Sequence, residues 1–197
     1  MAEFGLSFVE IGATMTVFFV VSAVGQAMAG FGVDRFGALR ILLAGISCFV
    51  LAGLGLAMAT SSSALYAVAA LAGLGNTVFH PADFTVLNRH VSPPRLGHAF
   101  SVHGLSGNLG WAAAPLFLTG LATLVGWRVA AASTIFVAIP AMLLLWHNRA
   151  LLDTGHHAHA AKQSGHGTFD FMRVGAVWLC FAFFFLITAA FGAIQNF

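Results

Sequence analysis

Apolar residues run along this chain in six long blocks, roughly 11–30, 41–60, 64–88, 98–124, 128–146 and 174–194, separated by short polar punctuation. Each block reaches the length of about 20 residues that a helix needs to cross the hydrocarbon of a bilayer. Helices are the form such blocks take, because lipid satisfies no open backbone groups. The blocks are also too long for the ten-residue alternation of a membrane β-barrel strand. The pattern therefore predicts an all-α polytopic membrane protein with about six transmembrane helices. The third and fourth blocks are long and carry polar residues, so they are expected to tilt or to reach past the headgroups.

The punctuation fixes an orientation. Arg35 and Arg40 follow the first block, Arg89 and Arg95 the third, and Arg149, Lys162 and Arg173 the fifth. These are seven of the eight lysines and arginines, and only Arg128 falls on the other side. Such an excess marks the cytoplasmic face. It puts 31–40, 89–97 and 147–173 inside as loops and both chain ends outside. Trp127 and Trp146 sit at block ends, where indole favours the interface. An outward start with no preceding inward segment suggests that one upstream span is absent from this chain.

Composition agrees: 59% of residues are hydrophobic, 7% are charged and the mean hydropathy is +0.92. A soluble domain carries about a quarter charged residues. A net charge of +2 implies no nucleic-acid partner. Cys48 and Cys180 lie inside apolar blocks and read as packing residues, not a disulfide framework. The first ten residues lack the basic start of a secretory signal.

The most distinctive motif lies between the first two blocks, where Gly30, Asp34, Arg35, Gly37 and Arg40 form a Gly-x-x-x-Asp-Arg-x-Gly-x-x-Arg pattern. Gly30 and Gly37 suit close approach and a positive φ in a tight reversal. Asp34 stands near a helix C-terminus, where the carbonyls disfavour a carboxylate, so it calls for a cationic partner or a helix N-terminus. The pattern resembles the cytoplasmic loop between the second and third helices of the major facilitator superfamily, although Ala38 and Leu39 stand where basic residues are more usual. Gly104, Gly107, Gly110 and Pro115 resemble a loose form of the Gly/Pro motif of that family's fifth helix, with Ala114 in place of the glycine before proline. Gly126-Trp127-Arg128 resembles the outer turn before its sixth helix, and 147–173 its central cytoplasmic loop.

The resemblance implies that the six blocks are family helices two to seven, with helix one and helices eight to twelve absent. Residues 1–146 would be an incomplete N-terminal bundle, 147–173 a histidine-rich central loop and 174–197 the first helix of the C-terminal bundle, whose remainder is missing. It implies a multi-pass protein of the cell membrane, prokaryotic by type, moving a small-molecule substrate by alternating access, with no cofactor. Asp34 would latch the two bundles on the cytoplasmic side in one conformational state. The stretches Gly75–Pro81 and Gly107–Gly110 further resemble drug-efflux members, including fosmidomycin-resistance-like permeases. Without its complementary bundle the chain is not expected to transport.

Ionisable groups inside spans are costly and usually face the bundle interior or a wet cavity. The third block holds Asn76, Thr77, His80, Pro81, Asp83 and Asn88. His80 and Asp83, three apart, share a helix face, and with protons as a coupling partner such a pair can load and release one near neutral pH. In the alternative, Asp83 lies near the interface and pairs with Arg89. Pro81 removes a backbone donor opposite Thr77, predicting a kink. The fourth block offers His98, His103 and Asn108, with His103 at a depth similar to His80 if the two blocks form a hairpin. Gln26 either lines the cavity or bonds across helices, and the glycines Gly104, Gly107 and Gly110 read as a helix-packing face.

His156, His157 and His159 belong to a histidine-rich stretch that reads as a solvated linker, with metal binding as the alternative. That stretch keeps open a second reading, a divalent-metal transporter. A membrane-embedded enzyme is the third. No His-Glu-x-x-His, Gly-x-Ser-x-Gly or Walker A pattern is present, and the chain is read as a transporter and not an enzyme.

Overall fold

The computed structural model describes residues 3–152 and 170–195, with side chains described as far as Ala189. Helices account for nearly all of them, and no strand occurs among the described residues. The chain separates into two compact units, residues 1–157 and 158–197.

Helix α1 runs Phe8–Phe36. A reciprocal cap starts it: the Glu10 amide donates to the Ser7 hydroxyl at 3.3 Å, and the Ser7 amide donates to the Glu10 carboxylate at 2.8 Å. It stops at Gly37, with φ +82° and its N–H on the carbonyl of Val33 at 2.8 Å. Helix α2, Ala38–Met58, begins at the next residue. The segment 31–40, expected as a loop, is therefore helix on both sides of a single-residue turn. Gly37 alone supplies the left-handed backbone that reverses the chain. Gly30 lies inside α1 without a positive φ, so the conformational role expected of it falls to Gly37.

The third span divides into α3, Ser62–Asn76, and α4, Phe79–His90. A short 3₁₀ turn, Pro93–Arg95, leads into α5, Leu96–Val125, which continues through Pro115. Gly126, at φ +87°, turns the chain into α6, Trp127–Ala132, followed by α7, Thr134–His147, and the short α8, Arg149–Leu152. Five helical stretches among the described residues are long and apolar enough to cross a membrane: Phe8–Phe36, Ala38–Met58, Ser62–His90, Pro93–Val125 and Trp127–His147. The sixth expected span corresponds to α9, Gly175–Gln195, in the second unit, apolar over Gly175–Ala189. There the Trp178 indole donates to the carbonyl of Met172 at 2.7 Å.

Little of the bundle is buried against itself. Val33, Ala38, Leu42 and Ala82 form one small core where α1, α2 and α4 meet, ringed by Ile41, Phe79, Val86, Leu145 and Leu152. Large apolar side chains such as Phe19, Leu51, Leu116 and Phe136 stay exposed, as lipid-facing positions do. The helices approach instead through small residues, as membrane helices commonly do. A Cβ on Gly75 would lie 2.8 Å from the carbonyl oxygen of Gly45, and one on Gly45 would lie 2.9 Å from that of Gly75.

The opposite end of the bundle is held by a clasp. Arg128 donates to the carbonyls of Ala57 at 3.0 Å, in the last turn of α2, and Ala59 at 2.9 Å, just past its end, and pairs with the carboxylate of Glu3. The Trp127 indole donates to the same carboxylate at 2.8 Å and stacks edge-on with Phe4. The lone basic residue expected on that side thus meets the start of the chain and the end of α2, while Arg35 and Arg40 lie at the Gly37 end. Charge-assisted bonds contribute about 1.5–3 kcal/mol each when shielded, and half-exposed pairs much less. Arg128→Met is expected to cost about 2 kcal/mol, a fall of roughly 4–8 °C in Tm, read by thermal unfolding in detergent. The bonds from Trp127, and then from Arg128, hold the Glu3 carboxyl below the usual carboxylate range. Its contribution is full above the unfolded-state value and is lost as pH falls through the lowered one. Glu3→Gln is expected to flatten the acid limb of Tm against pH.

Candidate functional site

The break in the third span has a local cause. Proline at position 81 offers no N–H to the carbonyl of Thr77. The chain tightens just before it: the Thr77 amide and hydroxyl both turn back to the carbonyl of Leu74, at 3.3 and 2.7 Å. The kink expected from Pro81 is thus a full interruption between α3 and α4, with Thr77 buried beside Gly25 of α1.

Beyond the break, α4 carries His80 and Asp83 on one face. Asp83 reaches across to α5, where its Oδ2 lies 3.6 Å from His103 Nε2. His103 is thus a partner for Asp83 beyond the His80 and Arg89 weighed from the sequence. The side chains are 27% and 33% exposed, so the pair is partly shielded yet reachable by water. Phe84 sits among these groups, 5.6 Å from the His80 ring, 6.2 Å from His103 and 5.1 Å from Phe100. His80 itself is exposed and meets the cluster through Phe84. A carboxylate, two imidazoles and an aromatic wall can hold a proton, pass it to water and exclude bulk solvent from one side. Asn108 lies farther along α5 with an exposed side chain.

A second polar knot lies on the other side of the break. Ser22 of α1 is buried, and its hydroxyl accepts from the Asn76 amide at 2.8 Å and from Gln26 at 3.4 Å. Gln26 therefore bonds within its own helix to the serine that joins α1 to α3. Ser22 is the buried polar link that sequence reading missed; its place four residues before Gln26, on the same face, was the available signal.

The family model described as Major Facilitator Superfamily matches residues 1–197. The chain belongs to the major facilitator superfamily. Among curated relatives it is similar to the Multidrug resistance protein B homolog of Mycobacterium tuberculosis, 30% identical over 128 residues, covering 65% of this chain and 24% of that protein. It is also similar to the Fosmidomycin resistance protein of Escherichia coli, 38% identical over 116 residues, or 58% of this chain and 28% of the relative. A Probable 4-methylmuconolactone transporter of Cupriavidus pinatubonensis is 33% identical over 162 residues, covering 80% of this chain and 37% of that one. The chain thus spans well under half the length of these relatives. A crystal structure of the peptide transporter POT in complex with sulfate shares the fold, with a TM-score of 0.65 at 23% identity over 93% of this chain and 39% of the other.

Within this major facilitator chain the other expected residues are dispersed. Asp34 and Arg35 are exposed in the last turn of α1, and the Arg35 guanidinium lies 5.3 Å from the Phe36 ring centre. Arg40 is exposed in the first turn of α2. Gly104, Gly107 and Gly110 line α5 with no described atom within 4 Å of where a Cβ would stand, and Pro115 is exposed. His156, His157 and His159 lie outside the described residues. No group of three metal-ligating side chains occurs among those described.

Proposed function

We propose that this major facilitator chain is part of a secondary transporter of the cell membrane that exports a small molecule in exchange for protons. It would supply most of one bundle and the first helix of the other, working by alternating access. The observation that carries the proton step is the Asp83–His103 pair at 3.6 Å, an ionisable contact between two spans. Where His103 carries its proton, neutralising the Asp83 carboxylate removes the ion pair that joins α4 to α5, and losing that proton restores it. Binding shifts conformers only through a difference in affinity between them, and a contact joining two helices supplies that difference. Arg35, Arg40, Arg89 and Arg95 face the cytoplasm in this reading.

Asp34 then serves as the cytoplasmic latch toward the second bundle, and the open glycine face of α5 receives a neighbouring helix. Asp34→Asn in the transporter containing both bundles is expected to slow turnover with substrate affinity little changed, measured by initial rates of transport. The family match favours a transporter over a membrane-embedded enzyme.

The coupling is tested with both bundles reconstituted in proteoliposomes. An imposed pH gradient is expected to drive substrate against its own gradient, and a protonophore to abolish this. Accumulation indifferent to the protonophore overturns the proton reading.

A further inference from the structure

Residues 3–152 hold six arginines, and five of them, Arg35, Arg40, Arg89, Arg95 and Arg149, stand at the Gly37 end. The small core brings them to one end, because Val33, Ala38 and Leu42 meet Val86, Leu145 and Leu152 there. All five are exposed. Almost no opposite charge stands with them. Of the four acids in residues 3–152, Glu3 pairs with Arg128, Glu10 bonds to Ser7 at the start of α1, and Asp83 meets His103. Asp34 is the one acid at the arginine end, and none occurs between Asp83 and Leu152. These arginines are held by helix ends and not by loops. Arg35 is in the last turn of α1, Arg40 in the first of α2 and Arg89 in the last of α4, while Arg95 closes the 3₁₀ turn and Arg149 opens α8. Each stands where an apolar span begins or ends. The Arg35 guanidinium lies 5.3 Å from the Phe36 ring centre and that of Arg149 lies 5.6 Å from the Trp146 ring, and both rings are exposed.

We infer that this rim of arginines is a docking surface for the headgroups of anionic phospholipids in the adjoining leaflet. A basic cluster beside a span attracts anionic lipid, and five arginines against the single carboxylate of Asp34 leave the rim strongly positive. The choice of arginine points to phosphate. Lysine serves the orientation of spans equally well, yet the chain's one lysine is Lys162, and every other basic side chain is arginine or histidine. A guanidinium forks two phosphate oxygens and gives up its water more readily than an ammonium does. Phe36 and Trp146 keep two of these groups at the interface, where aromatic rings themselves favour the headgroup level. Arg35 and Arg40 flank one chain reversal and Arg89 and Arg95 another, so the charges form a rim that meets several headgroups. A soluble anion would find charge alone. A phospholipid also lays its acyl chains along the exposed apolar side chains beside the rim, among them Phe36, Trp146 and Leu151. The inference stands apart from the transport reading and needs only that the chain lies in a bilayer.

The test uses the full chain in dodecyl maltoside micelles carrying phosphatidylglycerol or phosphatidylcholine with the same acyl chains. Native mass spectrometry counts the lipids bound per chain as each is titrated. Phosphatidylglycerol is expected to bind at least about fivefold more tightly, the effect of one arginine near a membrane surface. Replacing Arg40, Arg95 and Arg149 together by glutamine is expected to bring the two lipids within about twofold of each other. Arg149→Lys keeps the charge without the fork and should lower the preference only in part. Arg128→Gln, at the opposite end, loosens the clasp and should leave the preference unchanged. Size-exclusion profiles check folding; if the triple variant recovers poorly, the three single glutamine variants are expected each to lower the preference. Equal binding of the two lipids by the unaltered chain overturns the proposal. So does a preference that survives all the glutamine variants, or one that Arg128→Gln removes. Displacement of phosphatidylglycerol by inorganic phosphate, or by soluble polyglutamate at equal charge, also overturns it, making the rim a site for soluble anions or for an acidic protein.

Discussion

Asp83→Asn, in the transporter containing both bundles, is expected to abolish accumulation driven by a pH gradient while leaving downhill exchange of substrate. One pH unit is worth 1.36 kcal/mol per proton, so each proton exchanged sustains about a tenfold substrate gradient at that driving force. Asparagine keeps the size of the side chain and an oxygen that can accept from His103 Nε2, but it carries no titrating proton. The two helices then keep their contact through the cycle, and the gradient ratio at steady state should fall from about ten to one. His103→Gln leaves Asp83 able to titrate but removes the partner whose attraction the proton breaks. An intermediate ratio is expected there, with its pH dependence displaced. The measurement is the ratio of internal to external substrate at imposed gradients of zero, one and two units. A ratio in Asp83→Asn that still climbs tenfold per unit would place the proton elsewhere in the molecule.

The features legible from the amino acids were those set by local chemistry. Block length and polarity marked the spans, because lipid imposes one requirement on every residue of a span. Pro81 announced the break in the third span, because a missing donor at one position orphans a named carbonyl. His103 was expected at the depth of His80 once the third and fourth spans were folded back on each other, but its contact with Asp83 was not anticipated. Features set by distant neighbours were not legible. Glu3 and Arg128 lie 125 positions apart, and nothing local indicates that one closes on the other. Ser22 reads as a small residue in an apolar run until Asn76 is placed against it. The stretch 31–40 was read as a loop because its charges and glycines are those of a loop. A single glycine at φ +82° was enough to turn the chain, and helix propensity in the flanking residues did the rest.

The close approach of α2 and α3 makes the second large effect a loss of folding. Gly45→Leu is expected to destabilise the bundle by about 3 kcal/mol or more, the upper end for forced overpacking. The new Cβ would lie 2.9 Å from the Gly75 carbonyl oxygen and would also run into the side chain of Val78. A flexible side chain can move aside, but this carbonyl belongs to the last turn of α3, just before the break, and shifting it pulls Asn76 from Ser22 and Thr77 from its bed beside Gly25. Gly45→Ala meets the same oxygen and should suffer a smaller version of the same loss. Gly104→Leu is the matched contrast, since nothing described lies within 4 Å of its Cβ; in this chain it should leave stability within about 0.5 kcal/mol. Thermal unfolding in detergent, followed by size-exclusion recovery, should therefore show a drop of roughly 6–12 °C for Gly45→Leu and almost none for Gly104→Leu. Equal behaviour of the two would mean that α2 and α3 do not touch through their backbones, and the break at Thr77 that aims α4 and Asp83 toward α5 would lose its support.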